Sequence, residues 1–547
     1  MAPISPKSDR SLHARFRRLM GGAAVDRREF LALATTFGAT TVVAYGMLGL
    51  PAPAHAQATP KRGGTLRMAM TVKELKDPML MDWTEMGNLA RPMLDNLVRY
   101  TQDFTFEPQL LDRWEVNDDA TTYVLRLRPG VTWTNGDAFT ADDVVFNLTR
   151  WCDTTIAGNS MAGRMSALID EATGKAREGA ITRTDDMTVT VQMARPDIAF
   201  ISNLADYPAL IVHRGFDGTV DTAKGGFVGT GAFEMERYAV GERATYRRRT
   251  SGAWWGGEAH LDGVEFIDLG GDPATEAAAF GGGEIDANYA TATDYYDVLT
   301  GLGLTLHETA SANTQMLRMN VTQPPYDDIR VRRALQMVID APKMLQIALS
   351  GRGTLAENHH VAPLHPEYFD LPEKPEQNIA EAMRLLAEAG QADTEFELIS
   401  VDADYLRLPA DAFAGQMREA GLKIKRTIIP GSSYWNDWTK YPLASTSWSM
   451  RPLGVQVLDL AYRSGVAWNE TGHSNPEFDA ALDRALATAD VEKRRAIMGD
   501  LERMLQDSGV LIQPFWSSMG RHATPAVQGL GMHPTFVVDC AQVWLDA

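Results

Sequence analysis

The residues best suited to chemistry form the run Glu357-Asn358-His359-His360-Val361-Ala362-Pro363-Leu364-His365, which sets three imidazoles within seven positions. Imidazole nitrogens ligate zinc and similar metals, so an exported metal-dependent hydrolase is one chemistry the run allows. Pro363 disfavours a regular helix, so no i, i+4 face presents the rings together. A polar wall of a binding cleft or a solvated loop is the alternative reading. No Gly-x-Ser-x-Gly, His-Glu-x-x-His or phosphate-binding loop occurs, and no nucleophile–base pair supports catalysis. Cys152 and Cys540 lie 388 residues apart, a spacing that fits neither a zinc ribbon nor a redox motif. They could bridge in an oxidising compartment or remain as two buried thiols.

The N-terminal residues argue for that compartment. Residues 1–29 are rich in Lys and Arg, Phe30 to Pro60 carries no charge, and Pro53-Ala54-His55-Ala56 precedes Gln57. This is the pattern of an export signal over 1–56, cleaved after Ala56. Asp26-Arg27-Arg28-Glu29-Phe30-Leu31 resembles the twin-arginine consensus, which implies export in a folded state through the twin-arginine machinery. An uncleaved anchor is the alternative, although the stretch is poor in Leu and Ile. No cysteine stands at the cleavage point to take a lipid. The expected location is the periplasm.

The elements that must position any site come next. The chain has 547 residues, 45% of them hydrophobic, and a formal charge of −19. That length suits several domain-sized units, and the composition excludes wholesale disorder or a disulfide scaffold. So acidic a chain lacks the basic footprint of a general nucleic-acid binder. Early segments alternate as strands, as in Leu66, Met68 and Met70 or Tyr123, Leu125 and Leu127. Asn135-Gly136 predicts a tight turn, and Thr140 an N-cap with Asp142 and Asp143 behind it. Later segments alternate helix and strand. Helices are expected from Ile379 to Gly390, around Ala410–Gly421, after Asn475-Pro476, and up to Gly509, with a buried strand over Val510–Trp516.

Several blocks together resemble one family. They are Trp114-Glu115-Val116-Asn117-Asp118-Asp119, Leu125 to Trp133, Asn135-Gly136-Asp137-Ala138-Phe139-Thr140, Gly229-Thr230-Gly231-Ala232-Phe233, Ala253-Trp254-Trp255-Gly256-Gly257, Asn320 to Asp340, and Ala382 to Gly390. In this order they are similar to the family 5 extracellular solute-binding proteins of bacterial ABC importers, which serve peptides, opines and nickel chelates. Most of these blocks read as scaffold. Gly229-Thr230-Gly231 would let the chain turn tightly, and Arg332-Arg333 would face solvent.

The resemblance implies an α/β, two-lobed periplasmic-binding-protein fold with an extra subdomain in the larger lobe. Lobe I is expected over 57–312 and 509–547, and lobe II over 313–508. Hinge strands are expected near Gln315–Met319 and Leu511–Pro514. Both cysteines would then share a lobe. It also implies a monomer without a cofactor or catalytic activity, delivering a small organic solute to the transmembrane subunits of an ABC permease.

In the family's peptide binders, a Trp-x-x-Asp element sets an Asp against the peptide ammonium. Here the matching stretch is Trp448-Ser449-Met450-Arg451, with a cation where the acid would be. Arg451 then either anchors an anionic ligand group, as its planar fork suits, or is neutralised by a protein carboxylate such as Asp459. Tyr405 and Arg407 are expected in a loop after the Phe396–Val401 strand, where relatives hold a ligand carboxylate. Trp83 and Glu85 are expected to line the cleft, with Trp435 and Trp468 able to pack on a ligand. His359 and His360 are candidates for its polar wall.

Overall fold

In the computed structural model the described residues are 27–39, 41, 44–45 and 59–546, apart from 118, 403 and 489. The expected cleavage point at Ala56 lies outside them. The helix Arg27–Thr36 lies against the body of the protein. Its Thr36 carbonyl accepts the Trp114 indole N–H at 3.0 Å, and Thr35 Oγ1 accepts the Phe106 amide at 2.8 Å. Among the described residues, no helix is long and apolar enough to cross a membrane.

Alternation builds the first half of the main sheet. Leu66 and Met68 of Thr65–Ala69 are fully buried, and this strand runs parallel to Gly263–Ile267 on one side and Ala287–Asn288 on the other. Beyond Gly263–Ile267 the antiparallel strands Arg243–Arg248 and Phe233–Ala239 complete that edge. The second half pairs Glu395–Val401 in parallel with Lys423–Ile429, with the helix Asp404–Glu419 between them in sequence. That helix buries Leu406, Ala410, Phe413, Ala414 and Met417, the face expected from the spacing.

Two segments join the halves. The strand Thr305–Met319 pairs first with Phe515–Ala523, from Thr305↔Ala523 to Asn313↔Ser517. It then pairs with Leu443–Trp448, from Thr314↔Trp448 to Met319↔Leu443. The ladder breaks between Ala310 and Asn313, slightly before the expected hinge strand. The return segment is two strands, Leu511–Ile512 and Phe515–Ala523, rather than one over Val510–Trp516. Pro514 has no amide hydrogen to give a continuous ladder.

A separate four-stranded sheet takes the order Leu111–Val116, Thr122–Leu127, Thr188–Gln192, Ile181–Asp185, with the helix Ala141–Trp151 beside it. Its entry follows the turn chemistry. Gly136 sits at φ 93°, and the Asp143 carboxylate accepts the Thr140 amide at 2.9 Å.

Two sequence expectations need correction, and one question left open by the sequence, the state of the cysteines, has an answer. Gly229 and Gly231 do not serve a left-handed turn; a Cβ would stand 1.9 Å from the Met93 carbonyl at Gly229 and 2.5 Å from that of Pro92 at Gly231. Their role is close backbone approach. Arg332 is buried, not solvent-facing, and donates to the Ser508 carbonyl at 2.8 Å and that of Tyr326 at 2.7 Å. Cys152 and Cys540 form no bridge. They are buried thiols in different parts of the core, where burial pushes Cys152 up to about 12 and Cys540 higher still.

Candidate functional site

The strand Leu443–Trp448 ends where it reaches the junction of the two sheet halves, and its last residue turns an indole into a cavity there. Glu470 holds that indole, accepting Trp448 Nε1 at 2.7 Å, and is itself held by Arg318 Nε at 2.9 Å. Arg318 donates further to the carbonyls of Tyr441 and Trp438. The chain then passes through Ser449 and Met450 to Arg451 and is broken by Pro452 before the helix Gly454–Ala461. His365 Nε2 donates to the Arg451 carbonyl at 3.0 Å and so fixes this bend.

The cavity spans about 600 Å³ of empty space, part of it open to solvent, and half of its lining residues are aromatic: Trp435, Trp438, Trp448, Trp468, Trp83 and Tyr207. An adjoining chamber of about 350 Å³ shares Thr84, Tyr207, Ser449 and Arg451 with it and runs on to Tyr100, Thr535 and Val537. Trp83 stands just before the helix Thr84–Ala90, and its ring meets that of Trp435 edge-on, 4.1 Å between centroids. The two halves therefore touch within the cavity lining.

Charge at the floor is unbalanced. Arg451 is 4% exposed and its Nε lies 3.1 Å from Asp206 Oδ2. The same oxygen takes Arg164 Nε at 2.8 Å and Nη2 at 2.6 Å. Burial alone would raise Asp206, but the two guanidiniums outweigh it and hold the carboxyl below its ordinary value. Two cations thus share one anion. Arg451 Nη1 is spent on the Ser449 and Met450 carbonyls, whereas its Nε makes no hydrogen bond. Arg164 lies over the Trp468 ring at 4.8 Å.

Of the residues expected from sequence, the structure brings Arg451, Trp448, Trp83, Trp435 and Trp468 together. Asp459 is not the partner of Arg451, since it pairs with Arg463 Nε at 2.5 Å. Arg407 lies in the first turns of the helix Asp404–Glu419, not in a loop, half-exposed and 3.9 Å from Asp402. Tyr405 is in the same turn, and its side chain lies outside the described residues. Glu85 is not in the cavity wall.

His359 and His360 are not in the wall either; both are about 1% exposed. His359 Nε2 sits 3.3 Å from Glu357 Oε2, and His360 Nδ1 is 2.7 Å from the Tyr462 hydroxyl, behind Trp448. Burial pushes His360 well below its ordinary value and His365 down to about 4, so both are neutral near pH 7. Among the described residues no three His, Cys, Asp or Glu side chains are grouped to hold a metal ion. Sequence reasoning missed Arg164, Asp206 and Tyr207, which no motif marks.

Comparison with known proteins agrees with this architecture. Residues 105–465 match the model of the bacterial extracellular solute-binding proteins, family 5 middle region. A probable deoxycholate-binding periplasmic protein of Escherichia coli K12, YgiS, is 24% identical over 84% of this chain and 88% of its own. The periplasmic oligopeptide-binding protein OppA of Haemophilus influenzae is 24% identical over 80% of this chain and 85% of its own. The crystal structure of that OppA with the peptide RPPGFSPFR superposes with a TM-score of 0.79 at 21% identity, covering 90% of this chain and all of that one. The binding protein AgaA with agropinic acid gives 0.78 at 20% identity, over 88% and 99% of the two chains. The chain belongs to family 5 of the bacterial extracellular solute-binding proteins.

Proposed function

We propose that the protein captures a small organic solute between its two lobes in the periplasm and hands it to the permease of an ABC importer. The lobes are taken as 57–312 with 509–547, and 313–508. Family membership supports the role, and relatives named for peptides and agropinic acid set the range of solutes as peptide-like or opine-like. The observation that carries the ligand class is the shared carboxylate of Asp206, which leaves an excess cation facing an aromatic cavity. An anionic group of the ligand anchors on Arg451, and its body packs on Trp448 and Trp83. The protein is a monomer, exported through the twin-arginine machinery and cleaved after Ala56, and it catalyses no reaction.

Mass spectrometry of the solute released from natively purified protein, followed by calorimetry with that solute, tests the reading. A ligand at a hundredfold excess over Kd should stabilise the fold by about 2.7 kcal/mol. Stoichiometric zinc with hydrolytic turnover would overturn it. Replacing Arg27 and Arg28 by Lys should hold the precursor in the cytoplasm.

A further inference from the structure

One wall residue of the cavity carries a polar group that no described residue uses. Tyr207 lines both the main cavity and the adjoining chamber, alongside Thr84, Ser449 and Arg451. It is 5% exposed, and its hydroxyl is buried without a hydrogen-bond partner among the described residues. A buried tyrosine normally gives its O–H to an acceptor, and leaving that group unpaired is unfavourable. Burial pushes the hydroxyl above its ordinary value, against the pull of Arg164 and Arg451, so it keeps its proton near pH 7 and can donate it.

The backbone that carries the ring is clamped. Asn96 Nδ2 donates to the carbonyls of Asp206 at 3.0 Å and Ala209 at 2.8 Å, on either side of Tyr207. Gly87, in the helix Thr84–Ala90, lies so close that a Cβ there would stand 3.0 Å from the Tyr207 Cβ and 3.1 Å from its carbonyl. The adjacent carboxylate is already spent. Asp206 Oδ1 accepts the Tyr207 amide at 2.8 Å, and Oδ2 takes Arg164 with Arg451 3.1 Å away. The guanidinium carbons of Arg164 and Arg451 lie 6.0 and 5.8 Å from the centre of the Tyr207 ring. A spare O–H and an excess of positive charge thus stand at one wall, and an oxyanion completes both.

We infer that the Tyr207 hydroxyl is a ligand-binding donor, set beside Arg451 to take one oxygen of a carboxylate on the solute, and that it makes the cavity selective for that carboxylate. The inference rests on Arg451 as the ligand anchor. A phenol and a guanidinium together offer a donor to each carboxylate oxygen, whereas an alcohol has one oxygen to share between them.

The test uses the full protein, with indole-3-acetate as a flat carboxylate probe and indole-3-ethanol as its one-oxygen counterpart. In calorimetry the wild type should prefer the acetate, and Tyr207→Phe should weaken the acetate at least about tenfold and narrow that preference. Solute retained through native purification, counted by mass spectrometry, should fall in the same variant and decides the matter where the wild type ignores the probe. Stability should move the other way. Tyr207→Phe removes a buried, unpaired hydroxyl, so the melting temperature of the solute-free protein should rise, whereas loss of a structural hydrogen bond would lower it. An unchanged or lowered solute-free melting temperature would overturn the inference, as would acetate and co-purified solute held as tightly as by the wild type. Weaker binding in Arg451→Ala with none in Tyr207→Phe sinks this inference and spares the proposed function; binding undiminished in both removes the anchor on which the two rest.

Discussion

Two buried arginines, one tied to Trp448 through Glu470 and one lining the same cavity as Trp448, differ in one respect, and the difference separates scaffold from site. Arg318 has a carboxylate of its own, Glu470, and spends its remaining nitrogens on backbone carbonyls. Arg451 shares Asp206 with Arg164, and its Nε contacts that carboxylate at 3.1 Å without making a hydrogen bond. The first arrangement is closed and needs nothing from outside. The second is one anion short. A buried charge that is matched one to one locks geometry, whereas one that is left over can be completed by a ligand.

The largest effect should come from breaking the matched pair. Glu470→Gln removes the carboxylate that holds Arg318 and should destabilise the protein by about 3–5 kcal/mol, read by urea denaturation. A mismatch of opposite sign sits at Asp197, which burial and the nearby Asp459 carboxylate push up to about 7. Because the folded form holds its proton more tightly than the unfolded form, this contribution is complete below about pH 4. It fades as pH rises through 7, amounting to at most about 4 kcal/mol. Asp197→Asn should therefore gain on the wild type steadily between pH 4 and 7.5.

The shared site should respond through binding instead of stability. Arg451→Ala leaves Asp206 paired with Arg164, so the fold should survive, while affinity for an anionic solute should drop tenfold to a hundredfold or more in calorimetry, since charged hydrogen bonds contribute about 1.5–3 kcal/mol. An unfolded second lobe with affinity unchanged would place Arg451 with Arg318. The smallest effect belongs to Trp83→Ala, which removes the ring contact within the cavity lining. It should cost about 0.5–1.5 kcal/mol, seen as faster solute release in stopped flow with charge preference unchanged.

Much of the fold could be read from periodicity and caps. The N-cap at Asn475 accepts the Glu477 amide at 2.9 Å, and Gly509 ends its helix in the left-handed region, both as expected. The site was legible only along one stretch of chain. Trp448 and Arg451 stood out because a charge had replaced its opposite, but the carboxylate that answers Arg451 comes from the turn after Phe200–Asn203, where no pattern points across the protein. The histidines misled for a related reason: their sequence spacing says nothing of Trp448, Tyr462 and Trp516, whose rings enclose His360. Likewise, Tyr405 and Arg407 were expected in a loop by resemblance to relatives, yet here the helix starts at Asp404 and runs through Pro409.

The long strand Thr305–Met319 belongs to both halves of the sheet at once, and this bears on whether the molecule can be divided. Severing the chain at Asn313 would part Thr305–Asn313 in one fragment from its partner strand Phe515–Ala523 in the other and leave each with an open flank. Unpaired rows of amides and carbonyls recruit other chains, so isolated halves would be expected to aggregate. Swapping a whole lobe between relatives to transplant specificity would meet the same obstacle. Exchange of the short stretch from Trp448 to Arg451, together with the turn bearing Asp206, leaves every strand pairing across the junction intact.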